Sequence, residues 1–105
     1  MIILRYYDNI ILDENIKDIK TLVNKGFGAW GYYAVCVSDK GKGLMEILSL
    51  SDALKSINNY KNYGIIAVVK GKSAAETTAA KLISQWLKDN KNLKDFKEYY
   101  NVRCR

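Results

Sequence analysis

A chain of 105 residues with 17 Lys or Arg, 11 Asp or Glu and a formal net charge of +6 holds material for about one modest domain. Hydrophobic residues make up 49% of it, enough to fill a core at a length where folding buries on the order of 65% of the unfolded chain's surface, so intrinsic disorder is excluded. No His occurs, which removes the commonest general base, the usual imidazole zinc ligand and every Ser/His or Cys/His nucleophile pair.

Residues 1–7 are rich in β-branched and aromatic side chains and read as a strand that ends at a polar break, Asp8-Asn9. Asp13 is placed to cap a helix in which Ile16, Ile19 and Val23 recur at helical spacing, with Gly26 as the stop. A Gly-rich, aromatic stretch at 26–31 leads into a strand at 32–37. The two glycines and three charges of 38–43 suit a hairpin loop, and 44–50 is its partner strand. Ser51 is expected to cap a short helix carrying Leu54 and Ile57, which dissolves into polar residues 58–62. Gly64 starts the run 65–69, apolar on both faces and therefore expected to be a central strand.

Ser73 and Glu76 have capping-box spacing and open a helix whose Ala75, Ala79, Leu82, Ile83 and Trp86 form one apolar stripe. After Asn90 two periodicities compete. Leu93, Phe96 and Tyr100 fit a short amphipathic helix, whereas Phe96, Tyr100, Val102 and Cys104 fit an alternating strand. With no proline, repeat or linker, residues 1–105 are expected to form a single domain with a basic, Tyr-rich tail at 90–105. Short connections make a split βαβ sandwich of the ferredoxin-like type, an α/β (α+β) fold with a third helix added, the simplest closure of this order. A three-layer doubly wound sheet is the alternative.

Cys36 lies inside an apolar strand, and both it and Cys104 are expected to be reduced, structural thiols; a bridge between them or across a dimer is the other option. A leader with a basic region and cleavage site is not evident, nor is any run of about 18 apolar residues, so a cytoplasmic protein without membrane contact is expected. Lys supplies 14 of the 17 cations. Together with abundant Asn, Ile and Tyr, this bias is what AT-rich coding produces, so Lys number alone argues little about function.

Three stretches carry chemistry. Lys70-Gly71-Lys72-Ser73 lies between a strand and a helix amino terminus, where backbone amides, the helix dipole and two ammonium groups converge; Gly71, Lys72 and Ser73 are candidates for an anion site. A full phosphate loop needs Gly at position 66, where Ile66 stands, so a nucleotide hydrolase is not expected. The simpler reading is a turn at Gly71 and a cap at Ser73.

Lys25-Gly26-Phe27-Gly28-Ala29-Trp30-Gly31-Tyr32 resembles the aromatic ribonucleoprotein motif of the RNA recognition motif family, with Lys25, Gly26, Phe27, Gly28 and Tyr32 agreeing. Ala29 stands where that motif has a stacking aromatic, and the stretch follows the first helix rather than forming a third strand, so membership is not assigned. A loop whose Phe27 and Trp30 plug the end of the core explains the same residues.

The tail sets Lys88, Lys91, Lys94, Lys97, Arg103 and Arg105 against Asp89, Asp95 and Glu98, or +3 over 18 residues, with Tyr99 and Tyr100 among them. Basic residues interleaved with aromatics suit a phosphate backbone with stacked bases, although a solvated helix face has the same look. Asp8, Asp13, Glu46 and Glu76 are the carboxylates available for catalysis, and no pair has diagnostic spacing. An acidic residue two positions before a strand lysine is also missing, since Val68 precedes Lys70 there.

A small non-catalytic binding protein without cofactor or metal is therefore expected. Its leading partner is nucleic acid, contacted by Lys25, Phe27, Trp30, Tyr32, Lys91, Lys94, Lys97, Tyr99, Arg103 and Arg105. A protein-interaction or inhibitor module docking on an acidic protein surface is the alternative, and a regulatory domain holding an anionic metabolite is the third possibility. A homodimer is expected as well, because Tyr6, Tyr7, Tyr32, Tyr33 and Met45 offer more large side chains than one open sheet face leaves wet, with Trp86 and Leu87 positioned to cover that face or its twin.

Overall fold

The computed structural model describes residues 5–13, 16, 31–38, 43–53, 63–90 and 92–104. In chain order the elements are β1 (Tyr6–Leu12), β2 (Tyr32–Val37), β3 (Glu46–Ser49), α1 (Leu50–Ala53), β4 (Gly64–Lys70), α2 (Lys72–Asn90) and α3 (Phe96–Val102). The helix expected between Asp13 and Gly26 falls largely outside the described residues, as do Leu54 and Ile57.

A strand with no polar alternation has no face to give to water. Accordingly β4 takes an interior place in a four-stranded sheet of order β1-β4-β2-β3, buried from Gly64 to Val69. It pairs parallel with β1 and antiparallel with β2, and β2 forms the expected hairpin with β3, setting Val35 opposite Ile47.

This mixed α+β sheet corrects the finer expectation. A split βαβ sandwich keeps its first two strands parallel with an antiparallel strand between them; here β1 and β2 run in opposite directions, and β4 between them is parallel to β1. Nor is the sheet doubly wound, since two of its three pairings are antiparallel.

Period-two alternation sorts β2 onto two cores. Tyr32, Ala34 and Cys36 join Leu50, Tyr63, Ile65 and Val68 on one face; Tyr33, Val35 and Val37 join Ile66, Ala67, Val69 and the helices α2 and α3 on the other. The register shift between Val35 and Cys36 is why Ile66 and Ala67 share a face. Tyr6 and Tyr32 thus pack on the first core and Tyr7, Tyr33 and Met45 on the second. The five side chains that argued for a dimer seam do not share one face: they are half-buried and divided between the two cores.

Local boundaries move for identifiable reasons. Asp8-Asn9 does not end the first strand but makes an irregularity within it, so β1 continues through Ile10, Ile11 and Leu12. Ser49, not Ser51, caps α1, its hydroxyl accepting the Asp52 amide at 3.2 Å. α2 begins at Lys72, one residue before the expected capping Ser73, because the first helical bond runs from the Ala75 amide to the Gly71 carbonyl at 3.2 Å. Past Asn90 both competing periodicities are used in turn. The apolar residues of 96–102 coil into α3, and the chain then extends so that Cys104 bridges Tyr7 on the outer edge of β1. No helix among the described residues is long and apolar enough to cross a membrane.

Candidate binding surfaces

The strand-to-helix joint is built around two glycines at positive φ, Gly71 at +91° and Gly31 at +84°, conformations that side chains rarely adopt. Their juxtaposition consumes donors: the Gly71 amide bonds the Gly31 carbonyl at 2.9 Å, and the Lys70 amide bonds Asp13 Oδ2 at 3.1 Å. The Asp13 carboxylate is thus held at the Lys70 amide at the start of this joint, while the helix it was expected to cap lies largely outside the described residues. Two amides of the joint, those of Lys70 and Gly71, are bonded within the chain. Lys72 and Ser73 are exposed on the first turn of α2.

At the tail the aromatic side chains turn inward. Trp86 meets Phe96 edge-on at 5.4 Å between centroids and Tyr99 at 5.2 Å; Tyr100 stacks against Phe96 at 4.9 Å and against Tyr7 of β1 at 5.1 Å. The indole N–H is also engaged, donating to the Asn92 carbonyl at 2.7 Å. Burial of Phe96 is complete and that of Tyr100 nearly so. Burial raises the phenol pKa of Tyr100, and the neighbouring Tyr7 and Tyr99 push the same way. The Arg103 guanidinium lies over the Tyr99 ring at 3.8 Å, and Trp86 meets that ring edge-on.

Two further contacts fasten this region to the sheet. Arg5 Nη2 donates to the Asn101 carbonyl at 2.9 Å and to Asn101 Oδ1 at 3.1 Å, and the Asp8 amide donates to the Arg103 carbonyl at 3.2 Å. Both cysteines are buried and free, as expected of structural thiols. Desolvation raises both their pKa values, that of Cys104 to about 11.

Of the residues expected to bind nucleic acid, Lys94 and Arg103 are exposed and Lys97 and Tyr99 half-buried, all at the α3 end. Tyr32 packs with the core on the opposite face of the sheet, so it does not share a surface with them. Lys25, Phe27, Trp30, Lys91 and Arg105 lie outside the described residues. The α3 end holds a notch lined by Trp86, Tyr99, Val102 and Arg103, with Asp95 and Glu98 on the same wall. Those carboxylates oppose a phosphate.

A second groove runs between the end of β1 and the outer flank of α2. Lys81 and Lys88 line it with Thr77, Thr78, Ser84 and Gln85, and Ile11 and Leu82 supply its apolar part. Among the described residues, no carboxylate lines it. The Thr78 hydroxyl is bonded back to the Ala74 carbonyl at 2.8 Å, and Gln85 holds Asp89 at 3.1 Å. Lys81, Lys88, Thr77 and Ser84 are exposed. The sequence does carry a signal for this flank: Thr77, Lys81, Ser84 and Lys88 recur at i, i+4, i+7 and i+11, on the side of the helix away from Ala75, Ala79, Leu82 and Trp86. Comparison of the chain with protein-family models, with curated proteins and with solved structures gives no match.

Proposed function

We propose that this chain is a non-catalytic nucleic-acid-binding protein that grips the phosphate backbone from the outer flank of α2. The observation that carries the reading is the groove in which Lys81 and Lys88 stand two helical turns apart, roughly 10 Å along the axis, with exposed hydroxyls at Thr77 and Ser84 and no carboxylate among the described lining residues. Ammonium and hydroxyl groups are the side chains that contact phosphate oxygens, and they fix position without reading sequence. The inward turn of the tail aromatics supports the same mode, because Tyr100 is buried and one face of the Tyr99 ring is already covered by Arg103. The net charge of +6 adds long-range attraction.

Fluorescence anisotropy with labelled mixed-sequence oligonucleotides, single- and double-stranded, tests this. Binding is expected to be indifferent to sequence and to weaken steeply between roughly 50 and 200 mM salt. Absence of binding at micromolar protein and the lower salt overturns it. If nuclease-treated extract then still delivers an acidic protein to the immobilised chain, the flank belongs to a protein partner instead.

A further inference from the structure

We propose that the notch at the α3 end pairs with the same notch on a second copy of the chain, forming a two-fold dimer that leaves the outer flank of α2 open. A two-fold interface brings a patch against itself, so a patch of one charge sign repels its own copy and only one with adjacent opposite charges pairs crosswise. The notch has this property. Arg103 lines the notch together with Asp95 and Glu98, and the copy rotated by half a turn offers each Arg103 a carboxylate.

The apolar content points the same way. Val102 is 66% exposed, far more than the 39% of Ile11 or Leu87, the other exposed large hydrophobic side chains among the described residues. It sits beside Trp86 and Tyr99, and Trp, Tyr and Arg are the residues that dominate the energetics of protein interfaces. Arg103 is moreover held ready. Its guanidinium lies on the Tyr99 ring and its Nη1 donates to the Tyr99 carbonyl at 3.0 Å, so little side-chain freedom is lost when its remaining N–H groups meet a carboxylate.

Light scattering of the full chain without nucleic acid, over concentrations up to about 500 μM, tests the pairing, since a dimer's mass must rise with concentration. The expected result is a rise from the 12.0 kDa chain mass to twice that value. Val102→Asp and Arg103→Glu, both at exposed positions and checked for folding by circular dichroism, are each expected to hold the mass at the monomer value. Adding Glu98→Arg to Arg103→Glu restores the crosswise pair and the doubled mass. A wild-type chain that stays at 12.0 kDa, a dimer that survives both single changes, or a double variant that stays monomeric overturns the proposal. Lys81→Glu with Lys88→Glu is expected to leave the mass unchanged while weakening oligonucleotide binding at least about tenfold, which separates this interface from the nucleic-acid surface.

Discussion

The α3 end and the outer flank of α2 both expose lysines, yet the two regions differ in what surrounds them. At the α3 end Phe96 and Tyr100 are core residues, Tyr99 lies beneath Arg103, and Asp95 and Glu98 stand beside the cations. On the α2 flank the long side chains point away from the core, and no carboxylate among the described residues lines the groove. An aromatic side chain near a lysine is free to stack a base only if the fold does not need it. The difference teaches that the rings at the α3 end are taken up by packing and its cations stand among carboxylates, whereas the described wall of the α2 groove is free of carboxylates, and the two kinds of damage separate cleanly.

The largest structural effect is expected from Phe96→Ala, which empties a fully buried site at the centre of the ring cluster and costs about 3–5 kcal/mol in urea unfolding. Ser84→Ala on the flank is expected to stay within about 0.5 kcal/mol, because it is exposed and holds up nothing. If the two cost the same, the contrast fails. Gly64→Ala comes next. A methyl group there falls 2.5 Å from Cys104 Sγ, so the tail must shift, at about 1–3 kcal/mol and with faster amide exchange at Asp8.

Asn101→Ala removes only one of the two bonds from Arg5, since the other goes to backbone, and is expected to cost about 1 kcal/mol. The smallest and most specific effect concerns pH. Burial lifts the Cys104 thiol from 9.0 to about 11, and it raises the phenols of Tyr7 and Tyr100 too. The folded chain therefore holds these protons more tightly than the unfolded chain. The thiol's contribution is complete below pH 9 and is lost as pH climbs through about 11, and the phenols' contribution is lost only above their usual 10.0. Denaturant midpoints should fall across that window, and less steeply in Cys104→Ala.

Much of this architecture is legible in the residues themselves. The run 32–37 and the doubly apolar run 65–69 announce their strands because a buried strand needs no other chain to explain its composition. The neighbour of each strand is another matter. That β4 lies between β1 and β2 depends on pairings between residues 27 to 59 positions apart, which local spacing does not encode. The tail illustrates a subtler limit: alternation and helical periodicity were both present, and the chain uses the helix for Phe96 and Tyr100 and the extended form for Cys104. The placement of Tyr32 follows from strand parity once Ala34 and Cys36 are known to share its face, but which core that face serves is set by the helices. The α2 flank was readable at helical spacing and was obscured by the richer-looking mixture of charge and rings at 88–105.

The decisive measurement compares two charge reversals in oligonucleotide binding at low salt, Lys81→Glu with Lys88→Glu against Lys94→Glu with Lys97→Glu. Each pair changes the net charge equally, so general electrostatics cancels and location alone remains. The α2 pair is expected to weaken binding at least about tenfold and to lower the salt slope by about 2, while the tail pair shifts affinity less than about threefold. Equal losses from both pairs, or a larger loss from the tail, would contradict the assignment of the contact surface to α2.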